Sequence, residues 1–435
     1  MAEIRPLRAW RYNHALAQQI EVLTSPLFDV VSAKQREALY RNPFNSIHLS
    51  VPTGEHAHDK AAELLHRWKN TGVLVHDVMP AIYVYYQHFS LAGQSRQYCR
   101  KGFICNIKAY DWKENVVLRH ESTLPNAVGD RLALLEKTEL NVSPTHGLYT
   151  DPNHELEALM DEAMKAPLYE TEDYQGVRDV LAVIQDANAI KKFVQVLSEK
   201  QVILADGHHR YESSIAYRKA QTASNPDHTG QEAYNYHLMY LTNTESEDLR
   251  ILPTHRLVRD LEGFDTETFL EKLSEYFNFK TIEDACMMPD IIAGKKWAFG
   301  LVFNDRAYKI TLKPDKLSEI DWNFPQAIKE LDLTVLHYFI LEKVLNIYRK
   351  EQTRSPHLLF ERNFTECVSQ VNKGLAQVAI ITSEVSMDDV KRVCALGHTM
   401  PPKATYFYPK VICGFVFSSI MQKEFESIAD EVFTI

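Results

Sequence analysis

Gln201-Val-Ile-Leu-Ala-Asp-Gly-His-His-Arg-Tyr-Glu212 is the stretch that most restricts what this chain can fold into. Its apolar run, Val202 to Ala205, has buried-strand character, stops at Asp206, turns on Gly207 and passes directly into helical spacing from Tyr211. Strand, glycine turn and helix in that order are local α/β architecture. They also form an anion site, because glycine permits positive φ or close ligand approach, the first helical N–H groups are unpaired, and the helix dipole favours negative charge. Arg210 adds a planar fork suited to phosphate, and His208 and His209 add titratable donors. Asp206, at the strand end, is placed to hold magnesium or accept a proton. The same residues also describe an ordinary helix start with two exposed histidines and an arginine paired to a carboxylate. The string alone leaves both readings open.

Around this motif the pattern alternates. Val180 to Ile184 and Val202 to Ala205 read as strands, Ala189 to Leu197 and Tyr211 to Ala220 as helices, and Tyr236 to Leu241 as a further strand. Upstream, Asp59 to Trp68 has helical spacing, Ala81 to Phe89 and Gly102 to Ala109 have strand composition, and Ala133 to Leu140 and Glu155 to Met164 return to helix. Downstream we expect a helix from Leu261 through Phe277, a hairpin of Trp297 to Phe303 and Ala307 to Leu312 joined through Asn304-Asp305, and helices at Leu333 to Leu345 and Asp388 to Leu396. The fold class is therefore α/β and α+β in several domains. The expected division is an N-terminal mixed region 1–150, a central phosphate-binding domain 151–260 and a C-terminal α+β domain 261–435.

Composition removes several functions. With 435 residues, 48 basic against 58 acidic side chains and a net charge of −10, the chain offers no basic stripe for nucleic acid or anionic membrane. Six scattered cysteines without a C-x-x-C pair fit neither a disulfide framework nor a structural zinc site. The start, Met1-Ala-Glu-Ile-Arg, has no signal-peptide core, and no apolar stretch has spanning length. The expectation is a soluble cytoplasmic protein whose partner is a small phosphate-containing ligand; oligomeric state is not readable.

Three further clusters carry possible chemistry. Arg119-His120-Glu121-Ser122-Thr123 follows Val116-Val117 and gathers a cation, an acid/base group, a carboxylate and two hydroxyls, while also fitting a solvated turn with Glu121 paired to Arg119. Thr254-His255-Arg256 lies between apolar pairs, where a histidine is more often packed and hydrogen-bonded than catalytic. Met400 to Lys410 interleaves aromatics with Lys403 and Lys410, as either an extended packing segment or a source of phosphate ligands.

The Asp206-Gly207-His208-His209-Arg210 segment resembles the signature of the ParB and sulfiredoxin superfamily, which includes free-serine kinases whose equivalent loop binds nucleotide phosphates. More widely, the chain resembles the domain-of-unknown-function 1015 family. That resemblance rests on Ser25 to Ser32, Arg41-Asn-Pro-Phe-Asn45, Arg119 to Thr123, Asp130 to Leu135, Leu252 to Leu257 and Met400 to Lys410. It departs from the family pattern at Leu27, where a second proline is usual, and at Leu124 to Gly129, where a lysine is more typical, with Lys113, Arg119 or Arg131 as substitutes. The resemblance implies a ParB-like nucleotide-binding domain in the centre and a cytosolic phosphotransfer enzyme using magnesium and ATP or another nucleotide. Its substrate would be free serine, or phosphoserine in the reverse or hydrolytic direction. The implied catalytic group is Asp206, His209, Glu121 and His120, with Asp206 as metal ligand. Gly207, His208, Arg210, Arg119, Lys403 and Lys410 would bind phosphate, and Thr254, His255 and Arg256 the substrate. A non-catalytic nucleotide switch with a protein partner is the alternative.

Overall fold

Residues 82–86 read Ile-Tyr-Val-Tyr-Tyr, apolar or aromatic at every position, as a strand covered on both faces requires. In the computed structural model, which describes residues 1–27, 31–91 and 93–425, this run is the middle of a nine-stranded mixed sheet. Its strands are β1 (Ile4–Arg5), β2 (Ile82–Ser90), β3 (Gln97–Lys108), β4 (Val117–Arg119), β5 (Thr145–Tyr149), β6 (Tyr169–Glu172), β7 (Arg178–Ile184), β8 (Val202–Asp206) and β9 (Tyr236–Asn243). Their order is β4-β8-β5-β9-β3-β2-β7-β6, with β1 added on β3. Neighbours β4/β8 and β5/β9 are parallel, and the other pairs are antiparallel.

Successive side chains on a strand point to opposite faces, and here each face meets its own core. Tyr83 and Tyr85 pack with Leu65 and Trp68 of α1 (Ala57–Asn70) and Leu134 of α2 (Pro125–Thr138). Ile82, Val84 and Tyr86 share the opposite core with Ile190 and Phe193 of α3 (Ala187–Ser198) and Tyr211 and Ile215 of α4 (His208–Ser224). Helix α2 begins eight residues before the expected start at Ala133. Pro125 occupies its first turn, and the exposure of Asn126, Gly129 and Asp130 leaves that part without an apolar stripe.

The chain separates into two units: Met1–Leu249 with the chain from Pro409 onward, and Arg250–Tyr408. This differs from the three regions expected. Residue 151 lies within the first unit, where β5 before it is hydrogen-bonded to β8 and β9 after it. Of the Ser25 to Ser32 segment, Phe28, Asp29 and Val30 lie outside the described residues.

The second unit carries a six-stranded antiparallel sheet of β10 (His255–Val258), β11 (Phe277–Ile282), β12 (Ala298–Val302), β13 (Ala307–Leu312), β14 (Leu358–Glu361) and β15 (Val378–Ile381), ordered β11-β13-β12-β15-β10-β14. The expected hairpin is β12/β13. The helix expected from Leu261 is shorter, Thr266–Ser274, with Asp265 capping Thr268 at 2.8 Å. Phe277 continues the helical period of Phe269 and Leu273 but opens β11 instead. No helix among the described residues is long and apolar enough to cross a membrane.

Candidate functional site

Gly207 caps the N-terminus of α4 with φ at 87°, in the left-handed region, and no side chain caps this helix. A Cβ at this position would stand 2.6 Å from Thr145 Cγ2 and 2.8 Å from Arg210 Nη2. Both the dihedral and the space therefore demand glycine.

A second helix start lies beside it. His209 Nε2 accepts from the Leu124 N–H at 3.0 Å, and Ser213 Oγ donates to the Val128 carbonyl at 2.9 Å. Four residues along α4 thus match four residues along α2 in the same direction, so the two helices run parallel with their N-termini at one end. Thr123 Oγ1 also donates to Glu212 there. Two positive dipole ends share this corner of the first unit.

Asp206 sits between two cations. Lys410 Nζ donates to its Oδ1 and Arg210 Nη2 to its Oδ2, the latter at 3.2 Å. The three side chains are 10% to 13% exposed. Burial alone would raise the Asp206 pKa, but Lys410 and then Arg210 overcome it and hold the carboxyl well below the usual range. Two cations and one anion leave the triad at net +1. Arg210 Nη1 additionally donates to Ser143 Oγ and the Pro144 carbonyl, both at 2.8 Å.

Four buried histidines surround the triad. His120 and His208 are edge to face with ring centroids 4.8 Å apart. His120 Nδ1 lies 2.7 Å from the Leu204 carbonyl. A carbonyl only accepts, so Nδ1 carries the proton and Nε2 the lone pair of the neutral ring. His237 bridges Thr145 Oγ1 at 2.9 Å and Ser214 Oγ at 2.7 Å, and His146 Nε2 lies 2.7 Å from Thr242 Oγ1. Burial lowers the pKa of all four, that of His237 to about 3. They are neutral at pH 7, so the positive charge of the corner belongs to Lys410, Arg210 and the helix ends.

Of the residues singled out in the sequence, Asp206, Gly207, His208, His209, Arg210, His120 and Lys410 come together here. Glu121 is half-buried and raises the His120 pKa against the effect of burial. Arg119 is exposed, its guanidinium 5.3 Å from the Trp112 ring centroid. Thr254, His255, Arg256 and Lys403 belong to the second unit. There Arg256 is fully buried, donates to the Thr254 carbonyl, lies 3.2 Å from His337 Nε2 and packs over Phe360. His255 Nδ1 accepts from the Thr382 N–H at 3.2 Å. Lys403 is exposed, and its carbonyl accepts from Arg256. Magnesium on Asp206 does not fit this arrangement, because both carboxylate oxygens are engaged by cations. The described residues hold no cluster of three His, Cys, Asp or Glu suited to a metal. Sequence reasoning missed His146, His237, Thr145 and the start of α2. The available signal was a histidine inside each of two strands, β5 and β9, that are buried at every position.

Over residues 4–334 the chain matches the family described as "Protein of unknown function (DUF1015)". It belongs to that family. No curated protein matches it. Among solved structures, it is similar to a conserved hypothetical protein from Pyrococcus furiosus at 12% identity, covering 71% of this chain and 93% of that chain with a TM-score of 0.34. It is also similar to a free serine kinase in complex with AMP at 12% identity, covering 74% and 93% with a TM-score of 0.37. A third is SbnI with C-terminal truncation from Staphylococcus aureus, at 12% identity, 75% and 92% coverage and a TM-score of 0.36.

Proposed function

We propose that this DUF1015 protein is a cytoplasmic phosphotransferase that binds nucleotide phosphates at the Gly207 turn. The observation that carries the reading is the paired start of α2 and α4 over a largely buried triad of net positive charge. Phosphoryl transfer asks for charge neutralisation and alignment more than for covalent chemistry from the protein, and this corner supplies both. In the proposed reaction the loop amides and Arg210 hold phosphate oxygens, and Lys410 shifts from Asp206 onto the incoming phosphate. Asp206 keeps Arg210 in place and acts as neither metal ligand nor base. His120 is the base we propose for the proton of the acceptor hydroxyl, with Glu121 favouring the charged imidazole that results. His208 and His209 fix the helix start. The reading uses no residue of the second unit. The acceptor we propose is free serine, on the resemblance of the Asp206 to Arg210 segment to the free-serine kinases.

A nucleotide switch without catalysis is the second reading, favoured by the way Asp206 already satisfies both cations. Phosphorus NMR of the full chain with magnesium and ATP, CTP, ADP or pyrophosphate, each with and without serine, separates them. Serine-dependent appearance of phosphoserine is the expected result. Nucleotide binding with no turnover in any mixture, including phosphoserine alone, leaves the switch. Absence of nucleotide binding removes both.

A further inference from the structure

Strand β11 is an edge of the second unit's sheet, paired with β13 on one side. The Lys313 N–H donates to the Tyr276 carbonyl at 2.9 Å, so the residues in step with Tyr276, namely Asn278, Lys280 and Ile282, bond inward to β13. The backbone groups of Phe279 and Thr281 then point out of the sheet. Phe279 is half-buried and Thr281 exposed, which leaves that edge open. The side chains beside it are basic. Lys280 stands directly opposite Lys309, and Lys309 opposite Gly300, so the three positions share one face. Over Gly300 the face is closed, because a Cβ there would collide with Met288 Cγ. Toward the edge it opens: Lys309 is half-buried, Lys280 is exposed, and neither is ion-paired among the described residues. Partial burial, then Lys295 and Lys280, lower the Lys309 pKa, and no carboxylate acts against them. Lys295 donates to the Ile291 carbonyl at 2.6 Å. A lysine on an edge strand by itself deters unselective pairing. A second one on the interior strand β13 guards no edge, and like charges directly opposite are destabilising. In a chain of net charge −10, three lysines gathered without a carboxylate call for an anionic partner.

We propose that β11 takes an acidic protein segment as an added strand. The segment's backbone pairs with Phe279 and Thr281. Because Lys280 bonds inward, the residue facing it across the new ladder forms a close, non-hydrogen-bonded pair, and an acidic side chain there meets Lys280 with Lys309 and Lys295 behind it. The residues on either side of that acid fall on the opposite face, beside Phe279 and its edge contact with the Tyr308 ring, and are apolar. The partner is thus a segment of alternating acidic and apolar residues. A nucleic acid or an anionic membrane matches the charge but not the open backbone groups. The inference uses the second unit alone and is independent of the nucleotide reading.

The test is fluorescence anisotropy of a labelled Val-Glu-Val-Glu-Val-Glu-Val peptide titrated with the full chain at low salt. Saturable binding is expected, and the same peptide with lysine in place of glutamate should not bind. Lys280→Gln should weaken binding about fivefold, the upper range for a cross-strand ion pair, with urea unfolding unchanged. Thr281→Pro, which removes an outward N–H and no bond to β13, should abolish it. A peptide N-methylated at its valines keeps the charge, loses the donors that face β11 and leaves the protein untouched; it should not bind. No saturable binding, equal binding in Lys280→Gln, or equal binding of the N-methylated peptide overturns the proposal. So does tighter binding of single-stranded RNA or of phosphatidylserine vesicles than of the peptide.

Discussion

Asp179, fully buried, and Asp206, 13% exposed, are aspartates at the ends of strands in one sheet, and the protein treats them in opposite ways. Asp206 ends β8 between Lys410 and Arg210 and stays charged. Asp179, near the start of β7, accepts from the Tyr85 hydroxyl and the Gln87 amide and has no cation on either oxygen. Burial pushes its pKa up to about 7, with those two hydrogen bonds pulling it partly back. Arg100, fully buried nearby, donates to Gln87 and the Pro409 carbonyl rather than to Asp179. Burial therefore does not decide the charge of a carboxyl; the cations placed on it do. The comparison marks the Asp206 corner as a place built to hold charge and the Asp179 position as one built to tolerate its loss.

The largest expected effect breaks the first half of that contrast. Asp206→Asn leaves two buried cations facing each other and should cost about 3–5 kcal/mol in urea unfolding. An effect no larger than that of Asp179→Asn would end the comparison.

The pH dependence sharpens the second half. Below 3.8 Asp179 is protonated whether folded or not; between 3.8 and about 7 the folded protein keeps a proton the unfolded chain releases. The contribution of Asp179 to stability thus declines as pH rises through that window, by up to about 1.4 kcal/mol per unit. Buried histidines act the other way: His237 and His337, pushed down to about 3, and His255, pushed down to about 4, cost stability as pH falls below 6.5. Subtracting the Asp179→Asn unfolding curve from that of the native protein isolates the aspartate, and a flat difference from pH 4 to 7 would contradict its raised pKa.

Arg210→Ala should weaken nucleotide binding by about 1.5–3 kcal/mol, the range for a hydrogen bond to a charged group, measured by calorimetric titration. Unchanged affinity in a folded variant would mean that the charged corner is structural only. The smallest effect is that of Asp179→Asn near pH 4, where the folded protein keeps the carboxyl protonated: it should cost about 1 kcal/mol, the worth of a neutral hydrogen bond, and the sign should reverse toward pH 7, where the native carboxyl has lost the stability that its raised pKa takes away.

Much of the Asp206 corner was legible because its information is local. Val202 to Ala205 could only be a buried strand, and a glycine between it and helical spacing announced the turn. Lys410 was nameable as a candidate because it is one of two lysines in an aromatic segment. Its pairing with Asp206 was not, since nothing in the residues around 410 encodes a partner two hundred positions away. Asp179 went unnoticed for a similar reason: an aspartate entering an apolar strand looks the same whether it meets a cation or a tyrosine. The start of α2 was hidden by its exposed first turns, and the division of the chain was missed because Asp151-Pro152 is a turn within a sheet.

The first unit closes only when the chain returns to it at Pro409, and that return has a consequence in time. Lys410 lies 204 residues after Asp206, so at a synthesis rate of roughly 5–20 residues per second the aspartate leaves the ribosome about 10–40 s before its second cation exists. Through that interval the β8 turn has Arg210 alone. Newly made protein should therefore acquire nucleotide affinity late, after the whole second unit has been translated, and chains stalled before residue 410 should lack it even where the strands around Gly207 have already paired.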